Sequence, residues 1–383
     1  MHFALNGQAG HRRLFVATLT MLCVAGASAS CGAGVRGPAG EQVVSNPSEL
    51  AAAVKSSHAG DVIDLAPGDY GDVTLRRIDV GGVVTIASRD AGATAKLSSL
   101  NIEGSKGINL RNVEISANGG PAVRISNSTD VKLDGVNVHG PMIEGSIGGG
   151  NGIFIRNSSN VTVINSDLHN LGNALAHLDS DHLTISHNQF HDIRVDGIHG
   201  GGSSNVEITS NVFRNFFRSP KEHPDAIQFW TTNTKESAHD IKVADNMILR
   251  DGGAPMQGIF ITDQSKGHRP YRNVEITGNV VIGAMYHGIS LYQAENATVS
   301  RNTVSGYRDM NSWIMLDGVA GGVFRDNEST SYKLRPGNSN LDQGNNRSLS
   351  LSPVGDKKAL KRWLAARKGD ASKLPPSAAD YVQ

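Results

Sequence analysis

A short unit returns again and again along this chain: a small residue followed by alternating apolar residues. It reads NGIFI (151–155), NALAH (173–177), DGIHG (196–200), DAIQF (225–229), QGIFI (257–261) and HGISL (287–291). SWIML (312–316) continues the series with Trp in the small-residue slot. A second unit, an NVxI-like strand followed by Asn at a fixed offset, interleaves with the first, as in NVEITSN (205–211) and NVEITGN (273–279). It predicts a stacked column of Asn188, Asn211, Asn246, Asn279, Asn302 and Asn327. Asn suits such a corner because it tolerates left-handed backbone and its amide can bond the next Asn. The units recur every roughly 22–35 residues with period-two burial and no helical period. One such unit cannot bury its apolar face alone, but stacked units can. The chain is therefore expected to form an all-β parallel solenoid over residues 40–335.

Open coil ends invite aggregation and need covers. SNPSELAAAVKSS (45–57) predicts a capping helix, with Asn46 as N-cap, Pro47 in the first turn and Glu49 at the capping-box position. Residues 336–383 read as an irregular segment followed by an amphipathic helix, DKKALKRWLAARK (356–368), capping the other end through Leu360, Trp363 and Leu364. At the N-terminus, Arg12 and Arg13 precede LFVATLTMLCVAGA, and Ala27-Ser28-Ala29 offers small residues for cleavage. Residues 1–30 thus read as an export signal, with HRRLFV similar to a twin-arginine signal. The mature chain is expected to be periplasmic or secreted, without a transmembrane segment, and monomeric. Lipid anchoring through Cys31 is a second option. Cys23 lies inside the signal, so no internal disulfide forms. With 36 basic and 36 acidic side chains, the neutral net charge gives no reason to expect a nucleic-acid partner.

The repeat pattern resembles the right-handed parallel β-helix of the pectate-lyase-like superfamily. The opening helix followed by PGDY (67–70) resembles the start of the alginate lyase and chondroitinase B group. That resemblance implies action on an acidic polysaccharide, although the Lys/Arg catalytic motifs of those lyases are not recognisable. In the central coils, VDGI at Asp196, HPDAI at Asp225 and YHGIS at His287 resemble three pieces of polygalacturonase-type hydrolases. Pro224 replaces one Asp of that pattern, and His287 comes one coil late.

Stacking converts the alignment of coils into a surface map, with equivalent residues about 4.8 Å apart. One outward column runs Phe154, Ala176, His199, Gln228, Phe260, Ser290, and a neighbouring one ends in Trp230, Thr262 and Tyr292. The small residues are expected to face out beside them, completing a floor on which sugar rings stack. Before the small residue stand Asp196, Asp225, Gln257 and His287 on successive coils. Two carboxylates that close either raise one pKa or recruit a cation, for which calcium is the candidate. Each could instead cap its own turn. Long insertions at 212–224, 230–239 and 262–272 are expected to wall a cleft, and they are locally basic through Arg214, Arg218, Lys221, Lys235, Lys266, Arg269 and Arg272.

Three functions fit. A polysaccharide lyase or C5-epimerase would use Arg218, Lys221 or calcium on Asp196 and Asp225 to neutralise a uronate. His199 or His223 would then be the base, and Tyr292 or His287 the acid. A polygalacturonase-like hydrolase would use Asp196 and Asp225. A non-catalytic polysaccharide-binding solenoid is the third. Gln228, Trp230, Gln257 and Phe260 are the remaining candidates for sugar contact.

Overall fold

Alternating apolar residues flanked by left-handed corners form three short strands per turn, and the turns stack in register. The computed structural model describes residues 41–383 apart from 91, 118, 142–148, 220, 232–233, 235, 266, 368, 371–373, 377 and 383. The export segment, Cys23, Cys31, Lys235 and Lys266 lie outside the described residues. Every pairing between the stacked strands is parallel. Asn151–Arg156 pairs with Leu175–Leu178, which pairs with Ile198–Gly201, then Asp225–Thr231, Gln257–Asp263 and Tyr286–Ser300. A second stack runs beside it through Ser204–Thr209, His239–Ala244 and Tyr271–Thr277. A third, separate sheet carries the short strands Gln189–His191, Val212–Arg214 and Met247–Leu249. The close spacing of GINL and AVRI, before residue 150, is now explained. They lie in different stacks of the same coil, Lys106–Arg111 beside Thr129–Asp134 and Pro121–Ser126 beside Asn151–Arg156.

The period-two pattern places Ile153, Ile155, Ile198, Ile227, Phe229, Ile259 and Ile261 in one continuous core. Each such side chain stabilises the fold by about 1.5–3 kcal/mol on burial. Phe190 and Phe213 stack across adjacent coils at 4.7 Å.

The Asn column is present, but its backbone differs from expectation. Asn188 donates from N and Nδ2 to Asn211 Oδ1 at 2.9 and 3.0 Å, and the pattern repeats through Asn246, Asn279, Asn302 and Asn327 to Asn346. The left-handed residue is the one before each Asn, as at His187, Ser210, Asp245 and Arg301. The Asn itself is chosen for its amide, which bridges a buried N–H and a carbonyl of the preceding strand.

The small-residue column does not face out. Gly152, Ala174, Gly197, Ala226, Gly258 and Gly288 are all buried. A Cβ on Gly152, Gly197 or Gly258 would run into the carbonyl oxygen of Ala174, Ala226 or Gly288 one coil on. Close approach of the coils, not ligand access, sets residue size there. Trp313 does not occupy that slot either. A register shift after His287 absorbs one residue, so Trp313 pairs with His287.

Asn46 Oδ1 accepts from Glu49 N at 3.0 Å and caps the helix Pro47–Ser56, while Glu49 reaches back past the N-cap to accept from Ser45 N at 2.8 Å, a variant of the expected capping box. At the other end the stack continues past residue 335, through Ser339–Gly344 and Arg347–Ser348. Those strands are polar and largely exposed, and such an edge discourages pairing with another chain. The helix Lys358–Ala365 therefore does not cap the end. Its Leu360 and Trp363 pack instead on an apolar face formed by Val212, Met247, Leu249, Val280 and Ile282 of the third sheet. Trp363 Nε1 donates to Gly278 O at 2.7 Å, and Arg367 pairs with Asp245 at 2.7 Å. No helix among the described residues is long and apolar enough to cross a membrane.

Candidate functional site

The first stack presents the outward column in the expected register, Phe154–Ala176–His199–Gln228–Phe260–Ser290. Beside it, Trp230, Thr262 and Tyr292 are also in register, with Trp230 exposed and Thr262 buried. Ser290 is buried and lies 2.6 Å from His287 Nδ1 through its Oγ, so it leaves the floor.

At the edge of this column, the residues preceding the small slot form a hydrogen-bond ladder. Asp196 N donates to Asn173 Oδ1 at 3.3 Å, and Asp225 N donates to Asp196 Oδ1 at 2.9 Å. Asp196 thus does cap the next turn, as its position allowed. Asp225 is only 1% exposed; one oxygen accepts from Gln228 Nε2 at 2.9 Å. Its Oδ1 has no hydrogen-bond partner among the described residues, and neither has the buried Gln257 Oε1 one coil on. Burial, reinforced by the Asp196 charge, raises the Asp225 carboxyl well above the usual carboxylate range. Burial also raises Asp196, against the Asp225 N–H, His199 and His223.

Two imidazoles flank the pair. His199 Nδ1 is buried, lies 3.6 Å from Asp196 Oδ2 and has no hydrogen-bond partner among the described residues. Burial lowers the His199 pKa, with Asp196 opposing, so the ring favours its neutral form. His223 is largely exposed at the end of the 212–224 insertion, with Nδ1 3.9 Å from Asp225 Oδ2. The charge of His223 lowers both Asp196 and His287, in keeping with a loop end that lies close to Asp225.

His287 and Tyr292 belong to a separate aromatic group. His287 stands edge-on to Phe260 and Trp313 at 5.2 and 5.6 Å, and Tyr292 lies 5.6 Å from Phe260. Burial, then Lys333 and His223, bring His287 down to about 4. Burial and Asp317 raise Tyr292, against Arg335. The register sets Tyr292 three coils from His199, about 14 Å at the usual strand spacing.

The walls are less basic than expected. Arg218 Nη1 donates to Glu222 O at 3.0 Å, while Arg194 pairs with the Glu222 carboxylate at 2.6 Å; both brace the loop. Arg214 turns to Tyr381 and Arg272 to Glu295. Lys221 is exposed with a left-handed backbone. Asp263 is a structural knot that accepts from Thr231 and the Ser265 and Arg269 N–H groups.

Sequence reasoning missed two cations. Arg124 is in register with Phe154 on the floor column and sits over that ring at 5.1 Å. With Asn151, Asn173 and His199 these residues line a depression of about 300 Å³. Lys333 is in register with Met315 on the same column and sits over Trp313 at 3.1 Å. Aligning AVRI with GIFI, or YKL with IML, carries the signal. A larger groove of about 670 Å³ lies on the second stack, where the charges of Glu207, Lys242 and Glu275 alternate in sign. It contains neither the carboxyl pair nor His199.

Calcium takes six to eight oxygen ligands. Asp225 Oδ1 and Gln257 Oε1 are the unpartnered buried oxygens here, Asp196 Oδ1 being already engaged. No group of three or more His, Cys, Asp or Glu among the described residues could hold a metal. The donor set does not fit calcium.

The family described as right handed beta helix region matches residues 98–304, more than half of the chain. The chain belongs to the right-handed β-helix family. No curated protein matches this β-helix. Among solved structures, it is similar to the A-module of a mannuronan C-5 epimerase from Azotobacter vinelandii, at 13% identity and a TM-score of 0.52, covering 79% of this chain and 94% of that one. It is also similar to a mannuronic acid specific polysaccharide family 6 lyase from human gut microbiota, at 14% identity and a TM-score of 0.50, covering 89% and 98%. At these identities the likeness is one of fold.

Proposed function

We propose that this β-helix is an exported enzyme acting on an acidic polysaccharide, as a lyase or a C5-epimerase of uronate residues. The observation that carries the reading is the buried Asp225 carboxyl linked across one coil to the half-buried Asp196, which lies 3.6 Å from His199 on the outward column. Both reactions begin by removing the proton at C5, next to a carboxylate whose charge must be offset. A carboxyl held protonated by burial can do this by donating a hydrogen bond. Asp225 takes that role, because its raised pKa keeps it neutral and its Oδ1 is uncommitted; that oxygen is buried, and the exposed His223 beside it moves aside when the uronate binds. His199 takes the C5 proton on Nε2. Its Nδ1 is turned inward to Asp196, which orients the ring and stabilises the imidazolium.

The electron pair from C5–H passes into the enediolate of the uronate. In elimination it forms the C4=C5 double bond and expels O4, which takes a proton from His223. In epimerisation C5 regains a proton from the opposite face. The register favours His223 over Tyr292 or His287 for this step, because His223 adjoins Asp225, one coil from His199.

The protonated Asp225 would equally suit the general acid of a hydrolase, so the test must separate products. The two similar structures make polymannuronate the first polymer to assay, with polygalacturonate second. Ultraviolet absorbance of an unsaturated uronate marks elimination, and solvent deuterium at C5 without new ends marks epimerisation. New reducing ends without that absorbance mark hydrolysis. Inactivity on every uronate polymer, with binding intact in wild type and Asp225→Asn alike, would sink the enzyme reading. The supports for export are the apolar run after Arg12-Arg13 and the Ala27-Ser28-Ala29 site.

A further inference from the structure

Two fixed cations stand in the floor column, Arg124 and Lys333, with the column continuing past Arg124 to Asn101 and Thr74. Arg124 leads to Phe154 and, two coils further, to His199. Gln228 follows, and four coils beyond it stands Lys333. Arg124 and Lys333 are therefore eight coils apart, about 38 Å at the usual strand spacing. Each lies over an aromatic ring, Arg124 over Phe154 and Lys333 over Trp313. Such pairing restrains a long side chain while leaving its charge available to an anion.

We propose that Arg124 and Lys333 are end clamps for a single extended polyuronate strand lying along the column, with bond cleavage or epimerisation inside the strand and not at its end. This inference rests on the reading of the groove as a uronate site. The spacing argues for a polymer, because no single sugar spans both cations. An extended pyranose chain advances by about one strand spacing per residue, so roughly eight residues lie between the clamps. His199 and Gln228 fall inside that span, three coils or more from either end. The depression lined by Arg124, Asn151, Phe154, Asn173 and His199 gives the strand room on one side of the centre.

The test measures dissociation constants for long polymannuronate and polygalacturonate, and for their trisaccharides, with wild type, Arg124→Gln, Lys333→Gln and the double variant. Asp225→Asn is added throughout if the wild type degrades the polymer. Arg124 is exposed and Lys333 half-exposed, so thermal midpoints should not move. Each single variant should weaken polymer binding about tenfold and the double about a hundredfold, with trisaccharide binding unchanged. Wild-type polymer binding in both single variants overturns the clamps and leaves the enzyme reading standing. Equal loss on polymer and trisaccharide also overturns them, since the cations would then act at the centre. Failure of the wild type to bind any uronate polymer overturns both readings together.

Discussion

The backbone N–H of Asp225 reaches across one coil to Oδ1 of Asp196 at 2.9 Å, and the two carboxyls are thereby held on the same edge of the groove. Asp196 is fixed by a bond that any cap would make. Asp225 is fixed by burial and keeps a free oxygen, so the same ladder position yields two different chemistries.

Asp225→Asn should cut turnover on a responsive uronate polymer by at least ~100-fold. It should not unfold the protein. A carboxyl whose folded pKa is raised contributes stability at low pH that is lost as pH rises from the unfolded value towards the folded one. The amide carries no such penalty. Thermal midpoints at pH 4 and pH 8 should show the variant gaining on wild type as pH rises; a loss at pH 8 would contradict the burial argument.

The pH–rate profile should be bell-shaped, its acid limb set by His199 below the ordinary histidine value and its alkaline limb by the carboxyl pair. Asp196→Asn removes a charge that raises both groups, so both limbs should move to lower pH. Profiles of kcat/KM for the two proteins check this. An unmoved alkaline limb would remove Asp225 from the role given to it.

Asn246→Ala should destabilise strongly. Asn246 Oδ1 accepts from the N and Nδ2 of Asn211, and its Nδ2 donates to Ile208 O and Asn279 Oδ1. Each buried group left without a partner costs about 1–3 kcal/mol, so a loss of about 3–5 kcal/mol is expected in chemical unfolding. Asn346→Ala, at the half-buried end of the same ladder, should cost less.

His139, His169 and His191 stack on the third sheet at 5.3 and 5.0 Å. Burial opposes protonation of His191, but Asp167 and Asp192, at 3.0 and 2.6 Å, outweigh it and raise the group to about 9. That stabilisation is complete below about pH 6.5, the unfolded value, and is lost as pH rises through about 9. His191→Gln should therefore be less stable than wild type at pH 6 by up to about 3 kcal/mol, with the gap closing by pH 10. Urea midpoints at the two pH values measure it.

The core and the coil stacking were legible because period-two burial is a local signal repeated many times. Ile227 and Phe229 point in, Gln228 points out, and the register follows. The Asn column was legible as a column, but the backbone reason lay one residue earlier, where His187, Ser210 and Arg301 give no compositional hint of a left-handed corner. The small-residue column misled because a missing side chain looks the same in sequence whether ligand or neighbouring backbone needs the space. Charge on a loop was similarly ambiguous: Arg218 and Arg194 hold the loop, and only contact geometry separates such braces from free cations. Tyr292 stands three coils from His199, a separation that only the pairing register reveals.

The register shift after His287 lets Trp313 leave the interior slot and meet Lys333. Elsewhere the floor works as a ruler, since every coil contributes one tile to each row and sequence changes can only recolour a tile. Duplicating a coil would add one graduation without disturbing those already marked, whereas a shifted coil changes which row a side chain is read into. Groove length and groove chemistry can therefore be altered independently in this molecule, the first by whole turns and the second by single substitutions or a one-residue slip.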